Sequence, residues 1–210
     1  MAWSGSAIKR ASRSCWRSHG ETAMPYIMID AAGIKELFKS DQKAAIDKCQ
    51  HFWELIKNKA LQDDMGSRYV TFSDSALIYI PQNDTLSGVD LVRWIQELLD
   101  QLKDKIGTEF YAIANSGFEA GPSDLHGIIA DRLNSDYEPR YVHIAGLGDD
   151  FTNLFFAEDI IRKKRRNGKI SADARVYINT SLLTEVENNN CEYITVKGLG
   201  GEDQRFLCMQ

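Results

Sequence analysis

No stretch of this 210-residue chain approaches the roughly 18–20 consecutive apolar residues that a membrane-spanning helix needs, a pattern expected of a soluble protein. Nor do its four cysteines, Cys15, Cys49, Cys191 and Cys208, form a CxxC pair or any other metal-ligand spacing. That argues against a zinc module or a disulfide scaffold, and for reduced thiols in a cytoplasmic protein. An excess of positive charge is also missing. The net charge is −5, and general nucleic-acid binding depends on Lys and Arg neutralising phosphates, so no nucleic-acid partner is expected. Internal repeats and low-complexity segments are lacking as well. Between Met1 and Gly20 there is no Asp or Glu, while Lys9, Arg10, Arg13 and Arg17 are present. Such a composition has the character of a transit peptide, but a disordered extension upstream of a start at Met24 is the plainer reading. The expected division is a basic extension over residues 1–23 and one folded domain over 24–210.

What is present suits such a domain. Hydrophobic residues make up 43% and charged residues 26%, ordinary for a globular core of this size. Residues 25–30 read as a strand buried on both faces. Helical spacing then runs from Ile34 to Asn58, through Leu37, Phe38, Ala45, Ile46, Phe52, Leu55 and Ile56. A strand pair over 68–73 and 75–80 turns at Ser73-Asp74. A second amphipathic helix covers about 86–106, and a strand follows at 109–115. Further on, the pattern predicts a helix over 125–133, a strand over 141–145 and a helix over 149–162. A strand over 175–178, a short helix over 180–187 and a closing hairpin of 193–197 with 205–209 complete the chain. Helices and strands alternate around one sheet, so the class is α+β. The order strand, helix, strand, strand, helix, strand is that of a ferredoxin-like or palm-type fold.

Two acidic residues stand out. Asp30 ends the apolar strand Tyr26-Ile27-Met28-Ile29, and Asp74 sits at the tip of the predicted hairpin. Singly, each has an ordinary role, as helix cap for Asp30 and as turn former for Asp74. If the two strands are neighbours, however, the carboxylates converge and repel, and a divalent cation is the usual remedy. Mg²⁺ and Mn²⁺ favour such oxygen ligands and leave room for phosphate. Alternation along the strand that leads to Asp74 turns either Arg68 or Tyr69 toward the side where a phosphate-bearing ligand would lie. His143 reads as a core residue, Asp149 and Asp150 as helix caps, and Arg162 to Arg166 as a solvated helix end that complements the helix dipole, with a phosphate-binding or partner role as the alternative. Trp53, Trp94, Phe155 and Phe156 read as core or subunit interface.

In this order the residues resemble the catalytic domain of the class III nucleotide cyclases, over about residues 25–210. Asp30-Ala31-Ala32-Gly33-Ile34 is similar to that family's Asp-Ile-x-Gly-Phe, and Phe72-Ser73-Asp74-Ser75 stands where it has Gly-Asp in a hairpin. Asn115-Ser116-Gly117 resembles His-Thr-Gly. Gly148 to Glu158 resembles Gly-Asp-x-Val-Asn-x-x-x-Arg-x-Glu, and Val196-Lys197-Gly198 resembles the closing Val-Lys-Gly. The resemblance implies a class III cyclase fold and a nucleoside triphosphate substrate. It implies two divalent cations, Mn²⁺ or Mg²⁺, held by Asp30, Asp74 and the Ala31 carbonyl. It implies phosphate-binding amides at Ala32, Gly33 and Ile34, with Lys197 as a charge for the triphosphate. It further implies a homodimer with its sites at the interface, and attack of the ribose O3′ on the α-phosphorus with pyrophosphate leaving.

The departures are as informative. The adenine-reading Lys and Asp of that family fall on Val70 and Ala145. Its transition-state Asn and Arg fall on Thr152 and Phe156, with Asn153 one residue away. A short cyclase domain lacking purine contacts resembles the pyrimidine nucleotide cyclases of Pycsar-type anti-phage defence. That resemblance implies UTP or CTP as substrate and a separate cyclic-nucleotide-binding effector for the product. The alternatives are a purine cyclase and a catalytically silent cyclase-fold module that binds a nucleotide or a partner. A related palm enzyme is disfavoured, because the Gly-Gly-Asp/Glu-x-Phe turn is absent at Phe72-Ser73-Asp74-Ser75.

Overall fold

The computed structural model describes residues 24–62, 67–80, 87–119, 146–147, 149–171, 173–183, 192–198 and 200–210. In chain order these form β1 (Met24–Ala31), α1 (Ile34–Ser40), α2 (Gln42–Gln62), β2 (Arg68–Phe72), β3 (Ser75–Tyr79), α3 (Gly88–Ile106) and β4 (Phe110–Glu119). After these come β5 (Gly146–Leu147), α4 (Asp149–Arg166), β6 (Val176–Asn179), a 3₁₀ turn (Thr180–Leu182), β7 (Glu192–Lys197) and β8 (Asp203–Met209). The helical stretch expected from Ile34 onward is two helices broken at Asp41, whose carboxylate caps the second by accepting from the Ala44 amide at 3.0 Å. α4 runs four residues beyond the predicted Arg162, and β4 continues past Asn115. The predicted helix over 125–133 and strand over 141–145 lie outside the described residues, as does the second half of the predicted helix over 180–187.

The strands lie in the order β2-β3-β1-β4-β6-β8-β7, with β5 paired to the end of β4. β4 and β6 are parallel and every other pairing is antiparallel. The first half, β4-β1-β3-β2 with helices α1–α3, is the ferredoxin-like unit that the element order predicted. Alternation gives the sheet two faces. Ile27, Ile29, Ala76, Ile78, Ala112 and Ala114 pack with Phe52, Ile56, Ile95 and Leu98 of α2 and α3. Tyr26, Met28, Leu77, Tyr79, Tyr111, Ile113 and Tyr177 face the other way and pack with Leu154, Ala157 and Ile161 of α4. The α3 stripe Leu91, Ile95, Leu98, Leu102 is the helical repeat seen in sequence. That helix starts at Ser87, whose hydroxyl accepts from the Asp90 amide at 3.1 Å, and stops at Gly107 in the left-handed region.

Asp30 therefore lies on the α4 face of the sheet. Among the described residues α4 is the one helix on that face, and Val70 and Phe72 of the edge strand β2 remain exposed there.

Candidate active site

β1 ends where the chain must leave the sheet, and its last pleat turns Asp30 toward α4. β3 begins directly beside it, since Asp30 is the ladder partner of Ser75. The tip residue Asp74 is thereby brought to the same end of the sheet, with its carbonyl accepting from the Ala31 amide at 3.0 Å. Both carboxylate residues are buried, Asp30 at 8% and Asp74 at 5% exposure. They line one cavity of about 280 Å³, together with Ala31, Ala32, Gly33, Lys35, Tyr111 and the arginines Arg162, Arg165 and Arg166. The convergence inferred from the strand order is real.

The Asp30 carboxylate is oriented from two sides. Ser75 Oγ donates to Oδ1 at 2.5 Å, and Tyr111, its ladder partner on β4, donates to Oδ2 at 2.9 Å. Burial pushes the Asp30 carboxyl above the usual carboxylate range, and the charge of Asp74 pushes the same way. The Ser75 and Tyr111 hydroxyls and Lys35 pull it back. The Tyr111 oxygen also lies 3.2 Å from Glu158 Oε1. A phenol has one hydrogen and cannot donate to two carboxylates at once. Burial likewise holds the Glu158 carboxyl up, against the pull of Arg162 3.4 Å away.

The donor set fits a divalent cation of the hard, oxygen-preferring kind. It offers two buried carboxylates whose mutual repulsion a cation would relieve, and a backbone carbonyl at Ala31. Glu36 also lines the cavity, but among the described residues no acidic, histidine or cysteine side chain comes close enough to the two to make a three-ligand group. The remaining ligands would have to be water or substrate oxygens.

The basic run at the end of α4 is more than a solvated helix end, in line with the alternative reading of it. Arg162, Arg165 and Arg166 face the carboxylates across the cavity. Arg165 is held in place: its guanidinium lies 4.9 Å from the Tyr111 ring centroid and donates to the Tyr177 hydroxyl at 2.8 Å and to the Ala174 carbonyl. Arg162 is tied to Glu158 and to Asp159. Lys35 and Arg166 make no ion pair among the described residues and are the available cations on the wall.

Other predicted residues fall elsewhere. Gly33 has φ 84° and ψ −1°, a conformation that favours glycine, and it opens α1 before Ile34. The Ala32 amide, expected to face phosphate, is instead donated to the Glu109 carbonyl at 2.8 Å, because pairing between the two strands extends one step beyond Ala31. Tyr69 pairs with Ile78 and packs on the α2 and α3 face, away from Asp30. Arg68 is on the Asp30 face but lies over the Tyr79 ring at the far end of the hairpin, outside the cavity. Trp53, Phe155 and Phe156 are 38%, 41% and 44% exposed, so within this chain they are not core, whereas Trp94 is buried. His143 and Ala145 lie outside the described residues.

Lys197 and Asn153 form a second group. Asn153 is fully buried, donates to Glu202 at 3.3 Å, and crowds Gly198 of the Val196-Lys197-Gly198 turn. Lys197 is exposed and paired with Asp203 at 2.7 Å. β7 is four strands from β1, roughly 19 Å at the usual inter-strand spacing. Along α4, Asn153 lies about 14 Å from Arg162. Within one chain this second group stands apart from the carboxylate cavity.

Tyr111, Ser75 and Glu158 were missed as site residues in the sequence. The one signal for Glu158 was its match to the last residue of the helix motif.

No known family profile and no curated protein sequence matches the chain. Solved structures do. One is a bacterial light-regulated adenylyl cyclase, at 9% identity and a TM-score of 0.53 over 90% of this chain and 51% of that protein. The chain thus spans about half the length of that relative. Another is the guanylate cyclase domain of RhGC from Catenaria anguillulae in complex with GTP, at 12% identity and a TM-score of 0.54 over 89% of this chain and 96% of that domain. A third is an adenylate cyclase of Trypanosoma brucei in its monomeric state, at 9% identity and a TM-score of 0.50 over 89% and 87%. The architecture is the class III cyclase fold.

Proposed function

We propose that the protein is a metal-dependent nucleotide cyclase that converts a nucleoside triphosphate to its 3′,5′-cyclic monophosphate and pyrophosphate. One observation carries the reading: on a class III cyclase fold, the buried Asp30 and Asp74 share an open cavity with Lys35 and the arginines of α4. Two divalent cations, Mn²⁺ or Mg²⁺, held by Asp30, Asp74 and the Ala31 carbonyl would acidify the ribose 3′-hydroxyl and hold the triphosphate. In the step itself O3′ bonds to the α-phosphorus, the bond to the bridging oxygen breaks, pyrophosphate takes that electron pair, and the hydroxyl proton passes to solvent. Asp30 is kept in one orientation by Ser75 and Tyr111. Lys35, Arg166 and Arg162 face the charge that builds up on the leaving pyrophosphate. Gly33 and Ile34 bring the backbone close to the same place.

The cavity is small against the roughly 300–1,000 Å³ of most ligand sites. Asn153 and Lys197 stand too far off to reach a nucleotide held by Asp30 of the same chain. Both facts support a homodimer in which one copy supplies the carboxylates and arginines and the other supplies Asn153, Lys197 and the edge strand bearing Arg68 and Val70. Val70, a side chain without hydrogen-bonding groups where adenylate cyclases have the adenine-reading Lys, supports UTP or CTP over ATP. The cyclic product would then act as a messenger, read by a separate effector in anti-phage defence.

The test is incubation of purified protein with each of the four nucleoside triphosphates and Mn²⁺, with products resolved by mass. A cyclic monophosphate with equimolar pyrophosphate is expected. Phe156, exposed where cyclases carry the transition-state Arg, favours a second reading as a silent module. Nucleotide binding without any cyclic product would select it.

A further inference from the structure

The residue before Asp74 is the one non-glycine residue with positive φ among those described: Ser73, at φ 54°. A side chain is disfavoured in that region, so the hairpin tip relaxes unless something outside it holds it. The tether comes from α2. Trp53 follows the inward-facing Cys49 and Phe52 but stands off their buried stripe, and its indole Nε1–H donates to the Ser73 carbonyl at 2.9 Å. The Ser73 carbonyl and the Asp74 amide belong to one rigid peptide plane. Fixing that carbonyl fixes the plane, and with it the direction in which the Asp74 side chain leaves the turn.

We infer that Trp53 is a positioning residue for the metal site: its indole hydrogen bond holds the strained Ser73–Asp74 turn so that the Asp74 carboxylate meets Asp30 in the cavity. α2 is thereby part of the site although none of its residues lines the cavity. On the other flank the Ala31 amide holds the Asp74 carbonyl, so the turn is gripped from both sides. The inference rests on the proposed metal role of Asp74.

The experiment measures free Mn²⁺ by electron paramagnetic resonance as it is titrated into the full chain, for the wild type, Asp74→Ala, Trp53→Phe, and Trp53→Phe combined with Ser73→Gly. Thermal melting is followed in parallel. Asp74→Ala tests the metal reading itself and should lose most of the binding. Trp53→Phe keeps an aromatic ring but removes the donor, and should weaken Mn²⁺ binding about three- to tenfold with little change in melting temperature. Adding Ser73→Gly should recover affinity, because glycine holds the left-handed turn without a tether. Wild-type Mn²⁺ affinity in Trp53→Phe, beside a clear loss in Asp74→Ala, overturns the positioning role and leaves the metal site standing. If Trp53→Phe loses affinity only in proportion to a fall in melting temperature, with no recovery by Ser73→Gly, the residue is structural and the inference also fails. A wild-type protein that binds no Mn²⁺, or an Asp74→Ala variant that binds like the wild type, removes both.

Discussion

Tyr111 and Asp30 face each other across the β1–β4 ladder, and the phenol donates to the carboxylate at 2.9 Å. The same ring lies under the Arg165 guanidinium, so one side chain joins the carboxylate wall of the cavity to the arginine wall. Removing only the hydroxyl, as Tyr111→Phe, keeps the stacking and takes away the hydrogen bond to a charged group. Such bonds contribute about 1.5–3 kcal/mol. Turnover should fall at least tenfold at saturating Mn²⁺, with the melting temperature close to that of the wild type. A Tyr111→Phe enzyme with wild-type kcat would show that Ser75 alone orients Asp30.

The carboxylates themselves should be indispensable. Asp30→Asn or Asp74→Asn is nearly isosteric but cannot bind a cation as an anion, and the remaining carboxylate cannot hold two ions alone. Either change should abolish cyclic product while the circular dichroism spectrum is kept. Wild-type product formation by Asp74→Asn removes the assignment.

How much of this was readable in advance follows from where each residue sits. Asp30 and Asp74 stood out as a pair: each alone has an ordinary role as cap or turn residue, and their spacing and the cyclase pattern set them apart. The partners of Asp30 were not. Tyr111 and Ser75 are ordinary strand residues, and periodicity does not say which face of a strand looks at a site until the register is known. Arg162 to Arg166 resembled a solvated helix end because helix C-termini commonly carry such charge. Only the path of α4 over the sheet brings the run to Asp30. The Ala32 amide failed for the opposite reason: its partner, the Glu109 carbonyl, comes from a distant segment with no local signature. The ferredoxin-like half was legible because its helices and strands are long and strongly periodic.

The thiols of Cys49 and Cys208 should be unreactive. Burial pushes the Cys208 thiol up to about 12, with the Glu192 charge acting the same way, and burial raises Cys49 as well. A raised thiol pKa means less thiolate at any pH below it, and the thiolate is the nucleophile. Between pH 7 and 9 the alkylation of Cys208 should be slower in the folded chain than in urea by two or more orders of magnitude. Its rate should also rise steadily with pH rather than level off near the ordinary value of about 8.5. Peptide mapping after maleimide treatment reads both. Rapid labelling of Cys208 at pH 7 would contradict the packing of β8 against β6.

The proposed homodimer, with one half-site from each copy, predicts complementation. Asp74→Asn and Lys197→Ala should each be inactive or nearly so. When the two are mixed and allowed to exchange, half of the dimers pair one variant with the other. Each such dimer has one site with Asp74 and Lys197 both intact, so activity should return to about a quarter of wild type. Light scattering should show a dimer throughout. No recovery on mixing, from subunits shown to exchange, places Lys197 outside the site.

The base should follow from Val70. It lies on the Asp30 face of β2, 39% exposed in the single chain, at the position matched to the adenine-reading Lys of adenylate cyclases. In a closed dimer an adenine amino group or ring nitrogen set against Val70 would lose its water without gaining a partner. An unmade hydrogen bond of that kind costs on the order of 1–3 kcal/mol, roughly 10- to 100-fold in selectivity. A pyrimidine presents a smaller ring and leaves less polar edge against the valine. With an equimolar mixture of the four triphosphates, cyclic UMP or cyclic CMP should therefore dominate. Val70→Lys should raise the share of cyclic AMP by restoring a donor for adenine at that position. Dominance of cyclic AMP or cyclic GMP in the wild-type mixture would overturn the pyrimidine preference. It would leave the cyclase chemistry at Asp30 and Asp74 intact, because that chemistry acts on the ribose and the phosphates, which all four substrates share.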